Sequence, residues 1–180
     1  MSYIYHLKPN PMEGSELVPL NMMCPESEMY KKHASKYVGR ESLMKEMIPI
    51  LDCKWNDVVQ FSALDPQIIV DELKNYQSGL KLLRLQYYKI HVDDIIGNFD
   101  SIVFDRSQAR KKKDFTIQDS EVEVLSESYR ELSEVPEATI KCWKKAKEEG
   151  GKLLWFPFIP HILVKGRIET SKFEICNLSL

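Results

Sequence analysis

Glycine is scarce in this chain, seven of 180 residues, and it never falls into a pattern that cradles phosphate. No GxGxxG and no GxxxxGK(S/T) occurs, so neither a dinucleotide fingerprint nor a P-loop can bring bare backbone against a pyrophosphate. HExxH, GxSxG and CxxC are missing too, which removes the signatures of zincins, nucleophile-elbow hydrolases and dithiol enzymes. The four cysteines (Cys24, Cys53, Cys142, Cys176) are scattered, a pattern of free thiols in a reducing compartment. Cys24, His33 and Cys53 lie too far apart for the usual spacing of zinc ligands, and no metal is expected. Apolar runs long enough to cross a bilayer are lacking, and His6 and Lys8 interrupt the start where a leader would be apolar. A cytoplasmic protein with no membrane partner is the expectation. Charge nearly cancels, at net -2 with a pI near 6.1, so no global field draws the chain to nucleic acid.

What is present is an ordinary globular composition, 43% hydrophobic and 29% charged, in a length that suits one domain, residues 1–180. The most apolar stretch, residues 152–175, reads as strand, proline break, strand, turn and strand, with His161 the one titratable group between Phe158 and Val164. A second apolar strand with a single histidine opens the chain, Tyr3 and Tyr5 alternating with Ile4 and His6. The two are expected to meet as neighbours in one sheet, their histidines marking a cleft.

Between them, residues 8–21 carry Pro9, Pro11, Gly14 and Pro19 and must be irregular. Pro25 is placed to open a helix that turns Met29, His33 and Tyr37 to the core, and a helical piece covers residues 40–47. A strand is expected over residues 54–63, a helix capped by Asp65-Pro66 over 65–78, and strands over 82–92 and 101–105. Residues 106–120, centred on Arg110 to Lys113, read as a solvated basic loop; acidic residues follow it, and residues 121–125 suit an edge strand. Residues 136–149 form an amphipathic helix anchored by Ile140 and Trp143 and stopped at Gly150-Gly151. Strands at both ends with helices between them give an α+β class built on a mixed or antiparallel sheet.

Polar residues on apolar strands are the candidate site. His6 and His161 could bond a ligand hydroxyl or relay a proton near neutrality. Ser62 stands before a helix N-terminus, where anions bind; Arg40 and Arg167 have the fork that pairs with phosphate. Each has a structural alternative: a satisfied strand histidine, a turn serine, a surface ion pair. Trp55, Asn56 and Asp57 form an aromatic-polar cluster whose plain reading is a turn beside a core tryptophan.

The opening Tyr5-His6 strand, the closing Ile162-Leu163-Val164-Lys165-Gly166 run and the mid-chain strand ending at Ser62 resemble the ADP-ribosyltransferase-like superfamily, nearest to its DNA-targeting toxins. The resemblance implies that His6, with Tyr5, helps to hold the ribose of NAD and that the Ser62 strand recurs; Ser62 and Arg40 are the further candidate cofactor contacts. Active members begin the closing strand with a catalytic glutamate; His161 stands there in this chain, and Glu169 and Glu174 lie further along. The expected function is therefore an NAD- or nucleotide-binding protein of this fold, with His6 and His161 as candidate catalytic residues and ADP-ribosyl transfer to a macromolecule as the implied activity. The alternatives are a non-catalytic inhibitor or adaptor that binds another protein, and a nucleic-acid binder that uses the basic loop.

Overall fold

The structure, a computed structural model, describes residues 2–12, 14–77, 79–80, 85–106 and 115–180. Its centre is a seven-stranded antiparallel sheet. In chain order the strands are β1 (Tyr3–Leu7), β2 (Glu16–Leu17), β3 (Met47–Ile48), β4 (Cys53–Lys54), β5 (Val58–Ser62) and β6 (Gln86–His91). They continue with β7 (Ser101–Phe104), β8 (Val122–Val124), β9 (His161–Lys165), β10 (Ile168–Glu169) and β11 (Glu174–Asn177). The large sheet runs β11-β6-β1-β5-β9-β7-β8, while β2 pairs with β10 and β3 with β4 in two small ribbons. Among the described residues three α-helices accompany them: α1 (Glu28–Ala34), α2 (Pro66–Leu73) and α3 (Glu137–Glu148). The α+β class and antiparallel sheet are as the sequence indicates.

The order of strands corrects one expectation. The two histidine-bearing strands share the sheet but are not neighbours, because β5 lies between them with Tyr5 opposite Ser62 and Ser62 opposite His161. Strand β5 is apolar toward both faces, with Val58, Val59 and Phe61 all buried, so it belongs at the centre. The other edge of β1 is occupied by β6, in register from Tyr3–His91 to Leu7–Tyr87.

Alternation then sorts the side chains. Ile4, Val59, Phe61, Tyr88, Ile90, Ile162 and Val164 face one way and pack with Leu17, Ile95, Tyr129 and Ile168. On the opposite face, Val58, Ile102, Phe104 and Leu163 meet Leu43, Ile48, Leu51 and Trp55, while Tyr5 and Tyr87 meet Val70 of α2 and Leu178. Helices α2 and α3 close the molecule through Leu64, Ile69, Leu73, Ile159 and Trp143. Trp143 is fully buried, and its indole N–H donates to the Leu154 carbonyl at 2.6 Å. Helix α3 stops as its glycines require: Gly150 takes φ 67°, and the N–H of Gly151 returns to the Ala146 carbonyl at 2.7 Å.

Local chemistry shifts other boundaries. Helix α1 begins at Glu28 rather than Pro25, because the Ser27 hydroxyl accepts the N–H of Tyr30 and sets the cap there. The strand expected over residues 54–63 is broken by a 3-10 turn, Trp55–Asp57, where the Asp57 carboxylate accepts the N–H of Lys54 at 2.7 Å. Helix α2 ends at Leu73, short of residue 78. The strand expected over residues 82–92 is formed at Gln86–His91, with 82–84 outside the described residues. Most of the basic loop, residues 107–114, also lies outside them. Strand β8 is an edge strand, as its alternating glutamates suggest. Among the described residues, no helix is long and apolar enough to cross a membrane.

Candidate functional site

Strands β1 and β5 share only the Tyr5–Ser62 pair and then part. In the gap, the His6 imidazole takes the place of a ladder bond, with its Nδ1 2.9 Å from the Gln60 carbonyl. A carbonyl can only accept, so Nδ1 carries the proton and Nε2 presents its lone pair. Where the strands part there is a cavity of about 790 Å³, roofed by the proline-rich segment after β1 and by α1. It is the size of a small-molecule site, which ranges over roughly 300–1,000 Å³.

Most of the wall is apolar: Met12, Leu17, Met23, Met29, Val59 and Phe156 all contribute. The polar groups come from both faces of the sheet. His6 lies on one face; Tyr5, Gln60, Ser62 and His161 lie on the other. Both histidines therefore line one cavity, but β5 separates them and no bond joins them. Burial lowers the pKa of His6, against the pull of the Gln60 carbonyl, and Lys36 lowers it further. Burial brings His161 down to about 4, opposed by the Ile159 carbonyl, and its ring meets the edge of Phe156 at 6.2 Å. Near neutrality both rings are uncharged.

Helix α1 and the 3-10 turn Ser35–Tyr37 supply the charged wall. Residues 29, 32, 33, 36 and 37 share one helical stripe, and all five line the cavity. Met29, His33 and Tyr37 are thus half-buried against a cavity rather than in the core, and α1 has no fully buried residue. Tyr37 is held by the indole N–H of Trp55, which donates to its hydroxyl at 3.2 Å. His33 is lowered to about 4 by burial and then by the charges of Lys36, His6 and Lys32. Lys36 is also lowered, by burial and by Lys32. The Lys32 ammonium donates to the Asn10 carbonyl at 3.1 Å, whereas that of Lys36 takes no partner among the described residues. Among the described residues the wall carries two carboxylates, Glu16, paired with Arg167 at 3.2 Å, and Glu28, paired with Lys31 at 3.2 Å.

Other expected site residues fall differently. Ser62 lines the cavity, yet its hydroxyl both donates to the Leu64 carbonyl at 2.8 Å and accepts the Leu64 N–H at 3.0 Å. The N-terminus of α2 behind it is capped by Asp65, which accepts from Gln67 at 2.8 Å, so the chain's own carboxylate holds the expected anion position. Arg40 is off the wall, bonded to the Lys36 carbonyl at 2.6 Å and lying 5.9 Å from the Tyr37 ring centroid. Glu169 and Glu174 also lie off it: Glu169 accepts from Ser15, and Glu174 stands opposite Lys89 across the sheet edge. Among the described residues, no cluster of three or more His, Cys, Asp or Glu side chains is placed to hold a metal ion.

One wall residue stands out by what it lacks. Asn56 is 2% exposed, and neither side-chain nitrogen nor oxygen has a hydrogen-bond partner among the described residues. The sequence alone reads Asn56 as a turn former and does not single out Lys32 or Lys36; the 29-32-33-36 spacing was the available signal. No family model, no curated protein and no solved structure matches the chain.

Proposed function

We propose that the protein binds a nucleotide of the NAD or ADP-ribose type in the cavity between β1 and β5. The observation that carries this reading is the pairing of an apolar chamber of about 790 Å³ with a cationic stripe on which the Lys36 ammonium takes no partner among the described residues. An apolar chamber accepts a flat ring, and the stripe accepts its phosphates. The lone pair of His6 at Nε2 suits a ribose hydroxyl as donor.

Binding is favoured over ADP-ribosyl transfer. Cleaving the bond to nicotinamide builds positive charge on the ribose, which a free carboxylate stabilises and a neutral imidazole does not. Both wall carboxylates are engaged by cations, and the place of the usual glutamate is held by His161, neutral at physiological pH. Isothermal titration of the intact chain with NAD and with ADP-ribose tests the binding, and nicotinamide release from NAD tests the transfer. Saturable heat with no release is expected; two flat titrations would overturn the reading.

A further inference from the structure

Lys32, His33 and Lys36 lie at helical offsets of one, three and four residues and project from one stripe into one cavity. Among the described residues no carboxylate pairs with them; Glu16 pairs with Arg167 and Glu28 with Lys31. Resting on the nucleotide reading for its ligand, we infer that this stripe is a phosphate-type anion subsite and that His33 takes a proton from solvent as the anion enters. Binding there is coupled to pH.

The coupling follows from which groups face His33. Those groups are Lys36, His6 and Lys32, all cationic or neutral; burial first, and then these neighbours, hold its imidazole uncharged near neutrality. A dianion among them reverses the local field, so the protonated ring is favoured in the bound state. By linkage, a ligand that favours the protonated form binds more tightly as protons become available. His6 has its Nδ1 committed to the Gln60 carbonyl; His33 has no such bond among the described residues, which makes it the member free to respond.

The experiment titrates the full-length protein with sulfate and with ADP-ribose from pH ~8 to ~5.5, where both probes stay fully ionised. If the anion restores His33 to an ordinary histidine pKa, affinity for each probe should rise about tenfold across that range. His33→Gln should flatten the rise. Lys36→Ala should weaken both probes about tenfold throughout. Thermal unfolding at each pH confirms that every variant is folded. Sulfate bound with the rise, but ADP-ribose bound no better, would leave the anion subsite standing and sink the nucleotide reading. ADP-ribose bound with no rise, or a rise surviving in His33→Gln, would overturn the subsite alone. No binding of either probe would overturn both.

Discussion

Replacing Asn56 with leucine should make the protein more stable, an unusual outcome for a change at a site 2% exposed. The side chain carries an amide nitrogen and oxygen, and neither is paired among the described residues. A buried polar group without a partner costs about 1–3 kcal/mol, and leucine removes both at similar volume. Imperfect fit of the branched side chain returns about 1 kcal/mol. With two such groups removed, the net expectation is a gain of about 1–5 kcal/mol, hence a Tm several degrees higher at this chain length. Urea denaturation is the assay: the midpoint should rise while the slope stays the same, since the change alters neither end state's exposed surface much. Asn56→Asp, which would bury a charge in the same place, should lose several kcal/mol. If Asn56→Leu instead lowers stability by more than about 1 kcal/mol, the amide holds the Trp55–Asp57 turn together and the account of it as an unpaired cost is wrong.

His161 should make the fold sensitive to acid. Its folded pKa of about 4 lies below the ordinary 6.5, so the unfolded chain takes the proton first and stability is lost as pH falls from about 6.5 toward 4. The loss is about 1–3 kcal/mol after allowing for a half-buried ring; His161→Gln should flatten the plot of urea midpoint against pH, and an unchanged slope would contradict it. Trp143→Ala should cost about 3–5 kcal/mol by denaturant titration, because a fully buried indole leaves both a cavity and an unpaired Leu154 carbonyl. Gly166→Ala should cost about 1–2 kcal/mol although a Cβ would meet nothing within 4 Å, since the expense lies in φ at 96° after β9; a neutral result would show that the turn adjusts freely.

The strands β1, β5, β7 and β9 could be read from the chain because each alternates or runs apolar over a strand's length, and α3 because its apolar stripe, charge bias and glycine stop agree. Which strands pair could not be read. Alternation says that Ile4 and His6 share a face, and nothing local says that β5 stands between β1 and β9. The same limit hid the site. Met29, His33 and Tyr37 have the spacing of a covered face, and spacing does not distinguish cover by protein from cover by a cavity. Ser62 misled for the opposite reason: a hydroxyl before a helix attracts an anionic reading, but the backbone of Leu64 two residues on satisfies it. His6 was visible as a residue, while its role in spanning the parted strands required the Gln60 carbonyl, fifty-four positions away.

The most direct test of a nucleotide between β1 and β5 is a crystal structure of the protein grown with saturating ADP-ribose. The expected electron density places the ring against Met29 and Phe156 and the phosphates within reach of the Lys36 ammonium, with a ribose hydroxyl at Nε2 of His6. Density for ADP-ribose elsewhere on the molecule, with this cavity unfilled at full occupancy of the ligand, would contradict it.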